Sequence, residues 1–157
     1  MIKMFGVYFD FSIASIKEKI NTLLTQKQRA AIGVVDATIL SITHTNEDYK
    51  QIINESYLNV CDGSTIAKVA GLIHHKKYEH YTGSDLFEEY VNKPYKQVFI
   101  GNTPINHAMI AKKLRKQNLN LSYYLFIPLP FMEVEKFDYD HIAKEINQFQ
   151  ADIIWVS

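Results

Sequence analysis

Three scarcities limit what this sequence can encode. Cysteine occurs once, at Cys61, so an internal disulfide framework is excluded and a reducing compartment such as the cytoplasm is favoured. No apolar run approaches the roughly 20 residues of a membrane-spanning helix, so any membrane contact is expected to be peripheral. Lysine plus arginine equals aspartate plus glutamate, at 17 each, so no net charge attracts nucleic acid and we expect no nucleic-acid partner.

The sequence also lacks the signs of a second domain. It shows no internal repeat, low-complexity tract or linker-like composition. Its 157 residues are too few for two full-sized domains, and a hydrophobic content of 47% is enough for one core of normal proportions. We therefore predict a single domain over residues 1–157.

Short apolar or β-branched runs alternate with segments of helical periodicity. Strands are predicted over Lys3–Asp10, Ala30–Val35, Leu58–Cys61, Gln97–Gly101, Ser122–Ile127 and Asp152–Val156. Helices are predicted after Ser12, over Ala37–Thr43, after Asn46, over Ser64–Leu72, from Ser84-Asp85 to Val91, from Thr103-Pro104 to Leu114, and from Asp138 or Asp140 to Ile146. This alternation predicts an α/β fold with a Rossmann-like, mostly parallel sheet, helices on both faces and right-handed crossovers.

Two segments carry information beyond this alternation. The polar stretch between His74 and Ser84 is rich in histidine and tyrosine and too long for a tight connection, so we expect a functional loop. The last predicted strand ends the sequence, whereas a ligand loop and another helix normally follow such a strand in open α/β sheets. We therefore expect the chain to be truncated at its carboxyl terminus.

Polar residues follow three of the predicted strands, at the sheet edge where open parallel sheets bind ligands. Asp62 is either a general base at a strand tip or the cap of the next helix. Gly63 and Ser64 either hold a phosphate on backbone amides or only begin that helix, and the lysine of a P-loop is missing. The same choice between ligand contact and local cap stays open for Asp36 and Thr38 and for the turn Gly101-Asn102-Thr103, which lacks a GxGxxG fingerprint.

Histidine and cysteine patterns do not favour a metal or a thiol site. His74, His75 and His80 occur near Glu79 and Asp85, but neighbouring histidines cannot both face one site on a regular element, and a solvated loop explains them. We expect no metal. Cys61 is expected to be a small buried hydrophobe, because no histidine lies in the sequence context of a known thiol site.

The ordered motifs resemble those of the bacterial WecG/TagA/CpsF glycosyltransferases. The resemblance rests on the segments Asn46-Glu47-Asp48-Tyr49, Cys61-Asp62-Gly63, Tyr81-Thr82-Gly83-Ser84-Asp85-Leu86-Phe87, Val98-Phe99-Ile100-Gly101 and Ala151-Asp152-Ile153-Ile154-Trp155-Val156, and it spans nearly the whole chain. It implies an inverting, metal-independent transfer that needs no cofactor. The donor would be a UDP-sugar of N-acetylmannosamine or a related hexose, and the acceptor a polyprenyl-diphosphate-linked or other saccharide at the inner face of the cell membrane.

The resemblance also implies roles for residues. Asp62 matches the family's proposed base, Gly63 and Ser64 begin the helix whose amides would face UDP, Thr82-Gly83-Ser84-Asp85 falls on a loop characteristic of the family, and Gly101-Asn102-Thr103 on its nucleotide-side turn. Asp36 and Thr38 stand where many members have Thr-x-Asn, so donor contacts are expected to differ. His80 stands near a position that is Arg in many members. Members of such families often self-associate, so a homo-oligomer is expected.

Two other functions remain open from the sequence. The altered positions Asp36 and Thr38 and the missing tail suit a non-catalytic nucleotide-sugar-binding module or a truncated, inactive homologue. An assembly protein with an oligomer contact is the third interpretation. Binding of UDP without turnover would favour the module, and no binding of UDP would favour the assembly protein.

Overall fold

A computed structural model describes residues 1–157. The contacts within the chain form two compact units, Met1–Glu89 and Tyr90–Ser157, which are described separately. The strands and α-helices follow one another as β1 (Ile2–Met4), β2 (Val7–Phe9), α1 (Ile13–Gln26), β3 (Ile32–Val35), α2 (Ala37–Thr45), α3 (Glu47–Glu55), β4 (Leu58–Cys61), α4 (Ser64–His74), α5 (Gly83–Val91), β5 (Gln97–Ile100), α6 (Pro104–Lys116), β6 (Tyr124–Ile127), α7 (Tyr139–Phe149) and β7 (Ile153–Val156).

The first unit opens with a β-hairpin instead of the single strand predicted over Lys3–Asp10. β1 and β2 pair antiparallel, with Met4 opposite Val7. The two residues between them, Phe5 and Gly6, have φ angles of 52° and 85°. Two successive positive φ angles are typical of the tight turns that match the twist of a hairpin, and Gly6 adopts one of them without a steric cost. The alternating pattern over Lys3–Asp10 correctly predicts extended chain, but it does not predict that the chain reverses direction at Phe5 and Gly6.

β3 and β4 form a parallel pair in the first unit, with Val35 opposite Cys61. α2 and α3 connect them, and Asn46 both ends α2 and caps α3 by accepting a hydrogen bond from the Tyr49 N–H. The Asp10 N–H donates to the Asn59 carbonyl, so the end of β2 lies alongside β4. The core of this unit consists of apolar side chains from the hairpin, β3, β4 and the helices around them, among them Val7, Phe9, Val35, Leu40, Cys61, Ile66 and Ala70.

The second unit contains a three-stranded parallel sheet in the order β6-β5-β7. One face carries Val98, Ile100 and Ile127, which pack against apolar residues of α7 such as Ile142 and Ile146. On the other face the ring centroids of Phe99 and Phe126 lie 5.2 Å apart. The buried Gln97 accepts a hydrogen bond from the Trp155 indole at 2.8 Å, which ties β5 to β7.

The α/β class with parallel sheets is confirmed, and element boundaries moved by a few residues. β6 begins at Tyr124 and not at Ser122, because residues Leu121–Tyr123 form a 3-10 turn that Asn120 caps. Asp138, one of the two predicted caps, begins α7. None of the helices combines the length and apolar composition needed to cross a lipid bilayer. The single domain over residues 1–157 stays a prediction.

Candidate functional site

The turn after β4 presents a carboxylate that nothing in the chain engages. The Asp62 N–H donates to the Val35 carbonyl at 3.0 Å, so the parallel ladder extends to the strand tip. The Asp62 side chain is half-buried and makes no hydrogen bond or ion pair. The N-cap of α4 is Gly63, with φ 120° and ψ 139°, and no side chain caps the helix. The alternative in which Asp62 caps α4 is therefore wrong.

The open end of α4 distinguishes it from the other helices of the first unit. Ser12, Asp36 and Asn46 cap α1, α2 and α3 with side-chain oxygens. α4 starts without such an oxygen, so its first amides keep their hydrogen-bonding capacity and the positive end of its dipole faces outward. A free carboxylate and free helix amides therefore lie within three residues of each other.

The loop before α5 is held against this turn. The Tyr81 N–H donates to the Cys61 carbonyl at 3.0 Å. Thr82 and Asp85 then form a capping box, in which the Thr82 N–H donates to Asp85 Oδ2 at 3.0 Å and the Asp85 N–H to Thr82 Oγ1 at 3.1 Å. The helix begins at Gly83, so the cap is Thr82 and not the predicted Ser84-Asp85 pair.

Gly83 is the point of closest approach between this loop and Asp62. A Cβ placed on Gly83 would lie 3.2 Å from Val34 Cγ1 and 3.6 Å from Asp62 Oδ2. The absence of a side chain at Gly83 thus lets the loop pack against β3 and leaves space beside the carboxylate. The structure brings Asp62, Gly63 and Ser64 together with Thr82, Gly83, Ser84 and Asp85 in one region of the first unit.

Asp36 lies at the tip of the neighbouring strand but is already engaged. It follows Val35, the partner of Cys61, so it is the counterpart of Asp62 across the parallel pair. One of its oxygens accepts a hydrogen bond from the Ile39 N–H at 2.8 Å, which caps α2. The cap interpretation of Asp36 is confirmed. Thr38 is exposed in the first turn of α2.

An apolar groove of about 310 Å³ runs between α2 and α4. Its lining includes Ala37 and Thr65, in the first turns of the two helices. The other lining residues are Phe5, Leu40, Ser41, His44, Ile66 and Val69. Because Ala37 follows Asp36 directly and Thr65 lies three residues after Asp62, one end of the groove adjoins the two strand tips.

The turn Gly101-Asn102-Thr103 lies in the second unit, at the carboxyl end of β5. Gly101 has φ 96°, and a Cβ there would collide with the Ser157 carbonyl oxygen. Asn102 Oδ1 accepts hydrogen bonds from the Thr103 N–H at 2.9 Å and from the Asn106 side-chain amide. Thr103 Oγ1 caps α6 by accepting from the Asn106 N–H at 3.2 Å. The polar groups of this turn therefore satisfy one another.

One family of known proteins matches nearly the whole chain. The family model described as "Glycosyl transferase WecG/TagA/CpsF family" matches residues 2–157. The chain belongs to this family. Glycosyl transfer in surface-polysaccharide synthesis is the activity that the family implies. Among curated proteins, none matches the chain significantly.

Asp10 is a buried carboxylate of this WecG/TagA/CpsF chain that sequence reasoning did not single out. It accepts hydrogen bonds from the Ser12 N–H at 3.0 Å, Ser15 Oγ at 2.8 Å and Lys19 Nζ at 2.6 Å. Burial raises the pKa of Asp10, but the hydrogen bonds from Lys19, Ser12 and Ser15 outweigh it, so the pKa lies below its ordinary value. Its place at a strand end just before the cap of α1 was the available signal.

The single thiol of the glycosyltransferase chain is buried, and His80 of the loop before α5 is exposed. Cys61 is buried, as predicted, and burial together with the Asp62 charge raises the pKa of its thiol to about 11. His80 is exposed, and its charge is the smallest contribution to the lowered pKa of Asp85, after the hydrogen bonds from Thr82. No group of three or more His, Cys, Asp or Glu side chains that could hold a metal ion is formed.

His107, on α6 of the second unit, also escaped sequence reasoning. Its ring lies 5.4 Å from that of Phe126, only 5% of the residue is exposed, and Nδ1 has no hydrogen-bond partner. Burial lowers the pKa of His107, because the imidazolium would lose its hydration. A histidine four residues after a helix cap carries no local signal of burial.

Proposed function

We propose that this chain transfers N-acetylmannosamine or a related hexose from a UDP-sugar to a lipid-linked or other saccharide acceptor, with inversion at the anomeric carbon. Membership of the WecG/TagA/CpsF glycosyltransferases supports the reaction class. The observation that carries the assignment of roles is the Asp62 carboxylate, which caps no helix and has no partner although it lies at a strand tip beside open helix amides.

Asp62 is the proposed base. Its carboxylate takes the proton of the acceptor hydroxyl as the oxygen of that hydroxyl attacks the anomeric carbon. A new glycosidic bond forms on the face opposite the departing group, and the bond between the anomeric carbon and the β-phosphate oxygen of UDP breaks. The proton ends on Asp62 and the electron pair of the broken bond ends on UDP, so the step balances.

The uncapped end of α4 is the proposed site for the departing diphosphate. The amides that begin at Ser64 and Thr65 have no intrahelical partners, and the helix dipole adds a partial positive charge there. Such amides bind phosphate well and offset the charge that develops on UDP during transfer. His80 precedes the Thr82 to Asp85 loop, and both would border the bound donor.

Asp36 and Thr38 are proposed to face the donor sugar. One Asp36 oxygen is used to cap α2, which leaves the second oxygen for a sugar hydroxyl. Gly101, Asn102 and Thr103 remain candidates for nucleotide contacts in the second unit. We expect the protein to work in the cytoplasm or at the inner face of the cell membrane, as a homo-oligomer.

Replacing Asp62 with asparagine tests the assignment. Asp62→Asn keeps the size of the side chain and removes the base, so the rate of transfer is expected to fall by roughly 100- to 10,000-fold. The measurement is release of UDP and formation of glycosylated acceptor from UDP-N-acetylmannosamine and a soluble saccharide acceptor. Calorimetry with UDP and the thermal midpoint of unfolding should both stay close to wild type.

Asp140→Asn is the matched control, because Asp140 is an exposed carboxylate in the first turn of α7. It should leave transfer unchanged. Full turnover by Asp62→Asn would remove Asp62 from the role of base and leave the reaction class standing.

A nucleotide-sugar-binding module without turnover is the second candidate. The use of Asp36 as a helix cap favours it, because a carboxylate fixed to its own helix is less free to contact a donor sugar. Calorimetric binding of UDP by wild type, with neither sugar release nor transfer to any saccharide acceptor, would establish this module in place of the enzyme.

A further inference from the structure

The carboxyl-terminal end of α4 exposes two large aliphatic side chains beside a basic segment. Leu72 is 77% exposed and Ile73 is 54% exposed. Lys76 and Lys77 follow and are exposed, and Glu79 is the only acidic residue between positions 68 and 80. We call Leu72, Ile73, Lys76 and Lys77 the basic-aliphatic patch.

The end of α4 reverses the chain sharply, so the two lysines follow close to the two aliphatic residues. His75 has φ 51°, and its N–H bonds to the Gly71 carbonyl. The Lys76 N–H also donates to the Gly71 carbonyl, at 3.1 Å. A Cβ on Gly71 would lie 2.8 Å from the Lys76 carbonyl oxygen, so glycine is needed for this close return.

Tyr78 fixes the segment to the core of the first unit. Its half-buried ring packs against the hydrophobic cluster and lies 4.7 Å from the ring of Phe11. Lys76 Nζ lies 5.7 Å from the centroid of the Tyr78 ring. The basic-aliphatic patch is therefore a surface with a defined backbone, held from both sides by the helix end and by Tyr78.

Aliphatic side chains that enter the headgroup region, together with lysines that face anionic lipid, are the two components of peripheral membrane binding. The chain as a whole carries no net charge, so attraction to an anionic bilayer has to come from a local group of cations. We propose that the basic-aliphatic patch binds the surface of an anionic lipid bilayer. The proposal rests on the proposed function in one respect, since a lipid-linked acceptor would lie in that same bilayer.

The direction of α4 connects this surface with the candidate site. The helix begins beside Asp62 and has 11 residues, which correspond to a length of about 16 Å. Ile66, Val69 and Ile73 recur at helical spacing, and the first two line the apolar groove. One apolar face of α4 thus leads from the patch towards Asp62, which is the path that an apolar anchor of an acceptor would need.

Sedimentation with vesicles tests the proposal without any substrate. We expect the protein to sediment with vesicles of equal parts phosphatidylcholine and phosphatidylglycerol, to stay in solution with pure phosphatidylcholine, and to be released by salt. Lys76→Glu with Lys77→Glu should lower the partition coefficient by roughly 30-fold or more, since each basic residue near such a surface contributes about fivefold. Leu72→Ser with Ile73→Ser should also weaken binding.

Matched controls separate the patch from general effects. Lys112→Glu with Lys113→Glu makes the same change of net charge on exposed residues of α6, and Ile42→Ser with Ile52→Ser removes two other exposed aliphatic side chains. Both controls should bind vesicles like wild type. An equal loss of binding in the charge control, or no binding of wild type to anionic vesicles, would overturn the proposal.

Vesicle sedimentation tests the basic-aliphatic patch, whereas glycosyl transfer and UDP binding test the proposed function, so the two proposals can fail separately. Transfer to a soluble saccharide acceptor with no sedimentation would reject the patch and keep the enzyme, whereas sedimentation with no transfer or UDP binding would reject the enzyme and keep the patch. If the patch variants change the oligomeric state in light scattering but not the vesicle binding, the surface is a contact between copies of the chain and the membrane proposal is wrong.

Discussion

The two units of this chain each contain a strand-to-helix turn with a positive-φ glycine, and the two turns differ in which polar groups they leave without a hydrogen-bond partner. In the second unit Thr103 caps α6, Pro104 fills its first position, and Asn102 accepts two local hydrogen bonds. In the first unit Gly63 provides no side-chain cap for α4, and the Asp62 carboxylate has no partner. A glycine turn between a strand and a helix therefore serves local stability in the second unit and leaves a carboxylate and amides free in the first.

This difference separates structural turns from candidate binding sites. A strand-to-helix turn that follows local rules uses its polar groups for itself, so its substitution should mainly change stability. A turn that departs from those rules keeps groups that water or a ligand must satisfy. Its substitution should mainly change binding or turnover.

The largest expected effect contrasts the two glycines. Gly101→Ala should destabilise the protein by about 3–5 kcal/mol, because the new Cβ meets the Ser157 carbonyl and the positive φ adds strain. Gly63→Ala has no atom within 4 Å of its Cβ, so only backbone strain of about 1–2 kcal/mol applies. Urea denaturation of both variants measures the difference, and equal losses would contradict the comparison.

The second effect compares Asp62 with a carboxylate that is fully engaged at another strand end of the same unit. Asp10→Ala should cost about 2–4 kcal/mol, because it leaves the Lys19 ammonium without its partner. Asp62→Ala should change stability by less than about 0.5 kcal/mol. Chemical denaturation at neutral pH checks both values, and a large loss for Asp62→Ala would mean that its carboxylate has a structural role.

The Asp10 interaction also predicts a pH dependence. The pKa of Asp10 is lower in the folded chain than in the unfolded chain, so its contribution is present above the unfolded value of about 4 and is lost as the pH falls through the folded value. Asp10→Asn should therefore flatten the acid side of the stability curve.

Local chemistry explains which parts of the fold were predictable. The caps Ser12, Asn46, Thr103 and Asp138 act within three residues, and each of them begins a helix as expected. The hairpin was not predicted, because apolar alternation continues through it and its turn depends on a positive φ at Phe5. The start of α5 was misplaced because Thr82 and Asp85 cap each other reciprocally.

The candidate site was only partly predictable for a different reason. The position of Asp62 at a strand tip follows from the apolar run before it, but its freedom from capping depends on the conformation of Gly63. The approach of Gly83 to Asp62 joins residues far apart in sequence, so no local pattern encodes it. The role of Asp62 as a base stays a prediction.

A smaller effect tests the two helix starts directly. Thr103→Ala removes a cap and should cost about 1 kcal/mol. Ser64→Ala removes no side-chain hydrogen bond and keeps the backbone amide proposed to hold the diphosphate, so it should change stability by less than about 0.5 kcal/mol and leave UDP binding close to wild type. Thermal unfolding and calorimetry with UDP separate these results. A loss of UDP affinity in Thr103→Ala would instead support the nucleotide contact predicted for the second unit.

The smallest expected effect on stability concerns His107, a buried residue on α6 of the second unit. His107 Nδ1 is buried without a partner, and burial lowers the pKa of the ring. A histidine whose pKa is lowered by folding stabilises the protein above the unfolded value of about 6.5, and this contribution is lost as the pH falls towards the folded value. His107→Phe should remove that loss and add about 0.5–1 kcal/mol at neutral pH, because the buried nitrogen no longer lacks a partner. The exposed His141→Phe is the control, and denaturation at two pH values measures both. A persistent loss of stability at low pH in His107→Phe would show that another group is responsible for it.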